Sequence, residues 1–211
     1  MPATLFYIHD PMCSWCWGFS SAWQVIKEQL SNDIKLETVL GGLAPDSDVP
    51  MPEDTKQYLQ GIWKNIERAI PGTQFNYDFW SVCEPRRSTY PSCRAVIAAR
   101  EINPKLESEM ISAIQKAYYL QAKNPSDTAV LIELAEGIGI DKTQFSDTLK
   151  SDEVQQLLEQ NIRAYQKFAA TVGVSGFPSL VLKSDKACAV IPIDYNNPNV
   201  SLDAIRTYLA S

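Results

Sequence analysis

The sequence predicts an α/β fold in which a sheet is interrupted by a long helical segment, and three observations carry that prediction. Strand, helix and strand follow one another within residues 4–40, where hydrophobic spacing passes from alternation to a helical repeat and back. Residues 51–171 keep helical spacing, punctuated by proline and glycine, with no convincing strand. Around the polar turn Ser184-Asp185-Lys186, the runs 179–183 and 187–193 read as a β-hairpin with a closing helix after it.

Each element has its own warrant. Residues 4–9 form an apolar run broken by Asp10-Pro11, where the missing proline N–H ends ladder pairing. Cys16, Phe19, Trp23, Ile26 and Leu30 then recur on one helical face, which puts Cys16 toward the core and Cys13 at an exposed tip. Ser31-Asn32-Asp33 is turn chemistry. Ile34, Leu36, Thr38 and Leu40 alternate with Lys35, Glu37 and Val39 until Gly41-Gly42 stops the strand. The three elements make a βαβ unit with parallel strands. Helices are expected over 53–69, 91–102, 104–122, 127–137, 141–150 and 152–171, with Asp127 and Asp141 as N-caps and Pro91 and Pro104 in first turns. Ser201 is expected to cap a last helix whose Leu202, Ile205 and Leu209 face one way.

Composition narrows the function classes. With 211 residues and 45% apolar content the chain can bury a sizeable core. Nineteen Lys and Arg against 25 Asp and Glu, a net charge of −6, argue against nucleic acid or an anionic membrane as partner. The apolar run from Met1 to Ile8 has no basic residue ahead of it and reads as no secretory signal. Five cysteines, an odd number, do not make a fully paired secreted scaffold, so a reducing cytoplasm is expected.

The chemistry concentrates at Cys13-Ser14-Trp15-Cys16, a dithiol at a strand-to-helix junction. Two thiols at this spacing can close a disulfide as the chain turns into a helix. The free N–H groups of a helix start favour a thiolate there. A zinc site would need two more ligands from Cys83, Cys93, Cys188 and His9, which include no second short-spaced pair, so no metal is expected. Cys83 and Cys93 read as core or loop thiols, with Cys93 the more reactive candidate because Arg86, Arg87 and Arg94 lie near it in sequence. His9 could tune a sulfur or be hydrogen-bonded or solvated at a strand end. Asp10 could accept a proton near Cys16 or close an Asx turn before Pro11. Trp23 falls on the core face, whereas Trp15 should be an exposed indole able to contact apolar client segments. Arg86-Arg87 reads as a solvated loop, with a glutathione carboxylate as the alternative.

The order of elements, with Asp10-Pro11-Met12-Cys13-Ser14-Trp15-Cys16-Trp17-Gly18-Phe19 opening the helix, resembles the DsbA family of thiol-disulfide oxidoreductases, and within it the FrnE-like branch. A second motif, Val174-Ser175-Gly176-Phe177-Pro178-Ser179, is similar to that family's proline loop. The resemblance implies a thioredoxin-like fold with a mixed sheet, built from 1–50 and 172–211 and carrying a helical insertion over 51–171. It also implies Cys13 as the attacking sulfur, Cys16 as the resolving thiol, and a cis Pro178 with Phe177 offering backbone groups to a substrate strand. The reaction implied is exchange with protein disulfides or small thiols, with glutathione as a possible co-substrate and no cofactor beyond the dithiol. Ser14-Trp15 lacks the histidine of strong oxidants, which points toward a reductant or isomerase. Cys188 is alone near the carboxyl end, so no second pair serves as a relay. Kappa-class glutathione transferases and isomerases are the second reading, and a peptide-binding module is the third. The former commonly carry serine at the first cysteine position, so having both Cys13 and Cys16 favours redox chemistry.

Overall fold

A computed structural model describes residues 3–210; Met1, Pro2 and Ser211 lie outside the described residues, and with them the start of the segment read for a secretory signal. The fold is thioredoxin-like with a helical insertion. Strand β1 (Ala3–His9) leads through α1 (Ser14–Gln29) to β2 (Ile34–Leu40), and β3 (Ser179–Ser184), β4 (Cys188–Ile191) and the closing helix follow much later. The sheet order is β2-β1-β3-β4. β1 and β2 are parallel from Ala3 against Ile34 to His9 against Leu40. β3 runs antiparallel to both β1 and β4, so the sheet is mixed.

Between β2 and β3 come α2 (Glu53–Ala69), α3 (Phe79–Val82), α4 (Tyr90–Ile102), α5 (Glu107–Leu120), α6 (Thr128–Gly137), α7 (Lys142–Leu149) and α8 (Asp152–Val172), and α9 (Asn199–Ala210) closes the chain. Alternation along β1 decides what covers the sheet. Leu5 and Tyr7 face α1 and α9, packing with Phe19, Trp23, Ile26, Leu202 and Ile205. Phe6 and Ile8 face the other way, against Val181 and the α8 residues Tyr165 and Phe168. The remaining helices bury a separate core around α4, whose Cys93 and Ala95 through Ala99 are all fully buried. Gly18 lets α1 approach α2, since a Cβ there would lie 2.6 Å from the Ile70 side chain.

Several local expectations need correction. Ser201 does not cap α9. The helix starts at Asn199, and the Ser201 hydroxyl donates to the Pro192 carbonyl at 2.7 Å from within it. Asp127 precedes α6 but makes no side-chain cap bond, because its carboxylate pairs with Arg86. Asp141 does cap α7, accepting from the Gln144 N–H at 2.9 Å. The single helix expected over 104–122 is a 3-10 turn at Pro104–Leu106 followed by α5, which ends before Ala122 at φ 51°. Helix α3 is too short to have a readable period, and its Phe79 packs against the Trp63 ring.

Candidate active site

The end of β1, the start of α1 and the loop before β3 meet at one point. Cys13 precedes α1, its carbonyl accepting the Trp17 N–H at 3.0 Å, while its own N–H donates to the Asp10 carbonyl. The Cys13 Sγ lies 3.7 Å from the carbonyl oxygen of Phe177. The Phe177–Pro178 peptide is cis, and Pro178 is buried. A proline at this place offers no N–H that could compete for a sulfur lone pair. The Phe177 ring turns away from the sulfurs, 4.7 Å from the Tyr165 ring and over Gly41, so its backbone is the part presented to Cys13.

Cys13 is not an exposed tip. It is 8% exposed, with its Sγ against the Phe177 carbonyl, and the preceding Met12 is buried in the helical core. Trp15 is half-buried instead of exposed, because its indole packs on Tyr195 at 5.2 Å. Cys16 is fully buried, and burial, followed by its hydrogen bond with Cys13, pushes its thiol well above the ordinary range. A thiol in that condition favours its protonated form. The Tyr7 hydroxyl is in hydrogen-bonding contact with Cys16, and burial first, then the two sulfurs, raises its ionisation well above normal. Neither Tyr7 nor Tyr195 carried a sequence signal of this role; each reads locally as one more aromatic core residue.

Asp10 closes the Asx turn, its Oδ1 accepting the Met12 N–H at 2.8 Å. It also does more than the turn requires. Its Oδ2 accepts from the Leu43 N–H at 2.7 Å, the Thr89 hydroxyl at 2.6 Å and the Cys93 thiol at 3.6 Å. Burial raises this carboxyl, opposed by the bonds from Thr89, Leu43 and Met12. Cys93 is therefore not the more reactive thiol: it is fully buried, burial and the Asp10 carboxyl push it well above normal, and Arg94 spends its guanidinium on Asp46. Cys83 is half-buried with its Sγ 3.0 Å from the Ala122 carbonyl, and Cys188 is half-buried on β4. Arg86 is no solvated loop residue, since it pairs with Asp127 and bridges to Pro50, with its side chain 19% exposed. His9 is neither solvated nor hydrogen-bonded: it is fully buried, and among the described residues neither ring nitrogen has a partner.

A family model described as Thioredoxin matches residues 6–191. A protein of Nitrosomonas europaea provisionally named a protein disulfide isomerase superposes with a TM-score of 0.85 at 27% identity, covering 100% of this chain and 98% of the other. The cytosolic disulfide reductase DsbM of Pseudomonas aeruginosa has the same fold, with a TM-score of 0.76 at 22% identity over 98% of each chain. In sequence, the chain is 24% identical over 181 residues to the ClpXP adapter protein SpxH of Bacillus subtilis, matching 85% of this chain and 58% of that one. The chain thus spans little more than half the length of that relative.

Proposed function

The chain belongs to the thioredoxin family, with the fold of its DsbA-type oxidoreductases, and we propose that it is a thiol-disulfide oxidoreductase working through Cys13 and Cys16. The observation that carries this reading is the pairing of a scarcely accessible Cys13 sulfur, 3.7 Å from the Phe177 carbonyl, with a fully buried Cys16 behind it. A substrate disulfide reaching Cys13 lies against the Phe177 backbone. The Cys13 thiolate attacks one substrate sulfur, a mixed disulfide forms, and the other substrate sulfur leaves as a thiolate. Cys16 then attacks the Cys13 sulfur, its proton passing to the substrate sulfur that is displaced. The substrate's second sulfur is released, two electrons have passed to the substrate, and the Cys13–Cys16 disulfide remains. An external dithiol, or glutathione as a pair of thiols, returns the two electrons. The half-buried Trp15 edge and the Phe177 backbone bind the client in this scheme. The stretch from Asp10 to Phe19 supports the FrnE-like branch, and the absence of a histidine between the cysteines supports the reducing or isomerising direction.

A peptide-presenting role is the second reading, favoured by the SpxH relatives, which are named as ClpXP adapters. Replacing each cysteine separates the two. Cys13→Ser is expected to abolish dithiothreitol-driven insulin reduction, and Cys16→Ser to accumulate a mixed disulfide with an insulin chain on non-reducing gels. Turnover retained by Cys13→Ser overturns the exchange mechanism; a wild-type chain that binds peptide without turning over insulin establishes the second reading.

A further inference from the structure

Resolution of a mixed disulfide puts negative charge on the Cys16 sulfur, and the site gives that charge few partners. Cys16 is fully buried, out of contact with bulk solvent, so a charge formed there is costly unless a donor meets it. The Asp10 N–H reaches the sulfur, but the Asp10 carboxyl opposes its ionisation. A second donor is needed to offset that repulsion.

The Tyr7 hydroxyl is placed to be that donor. Phe19 and Trp23 follow Cys16 at helical spacing on α1, share its buried face and pack over β1, where the Tyr7 side chain meets them. The Tyr7 ring stacks on the His9 ring at 4.5 Å with a 6° interplanar angle and on the Trp23 ring at 4.2 Å with a 24° angle. It cannot swing its hydroxyl away without breaking both contacts. Tyr7 is buried, and its hydroxyl is in hydrogen-bonding contact with Cys16. Because burial and then the two sulfurs raise its ionisation, the phenol keeps its proton at neutral pH and serves as a donor instead of a base. Tyr119 and Tyr195 also lie near the dithiol, but the Tyr119 hydroxyl has no hydrogen-bond partner among the described residues, and Tyr195 is only half-buried.

We infer that Tyr7 is a catalytic residue of the resolving step, its hydroxyl donating a hydrogen bond to the Cys16 sulfur as negative charge develops there. This rests on the exchange chemistry proposed above. The bond between Cys13 and the substrate breaks as the Cys13–Cys16 bond forms, and the departing substrate sulfur takes the bonding electrons and the Cys16 proton. Tyr7 retains its own proton and is unchanged at the end.

Rapid-quench mass spectrometry of the reduced full chain with 2-hydroxyethyl disulfide follows the two steps separately, since the mixed disulfide and the closed Cys13–Cys16 form differ in mass. Tyr7→Phe keeps the stacked ring and removes the donor. This variant is expected to form the mixed disulfide at the wild-type rate and to resolve it about tenfold more slowly, the scale of one hydrogen bond to a charged group, with unchanged circular dichroism. A chain with 3-fluorotyrosine in place of Tyr7, a more acidic phenol on the same ring, is expected to resolve at least as fast as the wild type. Wild-type resolution in Tyr7→Phe, equal slowing of both steps, or fluorotyrosine resolution as slow as that of Tyr7→Phe overturns the inference and leaves exchange standing. A Cys16→Ser chain that forms no mixed disulfide with this probe overturns the exchange reading itself, and this inference with it.

Discussion

His9 is a titratable group that is fully buried, with no partner for either ring nitrogen among the described residues. Its ring stacks on Tyr7 at 4.5 Å with a 6° interplanar angle, and burial pulls its ionisation down from 6.5 to about 3. Between those two values the unfolded chain carries a proton that the folded chain does not, so stability falls as pH drops below 6.5. Asp10 acts in the opposite sense, because its raised carboxyl holds a proton in the folded state that the unfolded chain has released. Comparing the wild type with His9→Phe isolates the histidine. The stability of the variant relative to the wild type is expected to rise by about 2 kcal/mol between pH 7 and pH 5. Urea unfolding at the two pH values checks this, and parallel curves for the two chains would count against a neutral buried His9.

The end of β2 is shaped by what it must pass. Gly42 has φ +63°, in the left-handed region that favours glycine, and Gly41 lies beneath the Phe177 ring. A Cβ at Gly41 would sit 1.9 Å from the Phe177 Cε1. Gly41→Ala must therefore displace the Phe177 ring, which belongs to the residue whose carbonyl faces Cys13. The expected result is a loss of insulin reduction of roughly 10–100-fold, the range produced by misplacing a positioning group by about 1 Å. Wild-type turnover in Gly41→Ala would mean that the Phe177 backbone does not align the substrate. Helix α8 is joined to the same strand, because the Asn161 Oδ1 accepts the Leu40 N–H at 3.0 Å.

Across the whole molecule, Asp10 ties the helical core to the dithiol loop. One carboxylate receives Met12 from the loop before α1, Leu43 from the segment after β2, and Thr89 and Cys93 from the start of α4. The Thr89 Oγ1 also accepts the Ala44 N–H at 3.1 Å, so Thr89→Val strips two buried groups of a partner at once. The expected cost is about 1–3 kcal/mol, read as a fall in thermal midpoint of roughly 2–4 °C per kcal/mol for a chain of this size. An unchanged midpoint would show that α4 is held by apolar packing alone.

The sequence by itself determined the βαβ unit, the hairpin and the long helices, because hydrophobic period and turn chemistry are local properties. It also singled out Cys13 and Cys16, since a short-spaced cysteine pair at a strand-to-helix junction leaves a signature in residue types alone, whereas the Phe177-Pro178 loop stood out only through its resemblance to a family motif. Only the tertiary structure decided how deeply those cysteines sit, with Cys13 scarcely accessible and Trp15 packed on Tyr195. It alone turned Asp10 from a turn residue into a link to α4, left His9 buried without a partner, and set Tyr7 against Cys16. Burial and electrostatic coupling depend on groups far apart in the chain, and no periodicity within a segment encodes them.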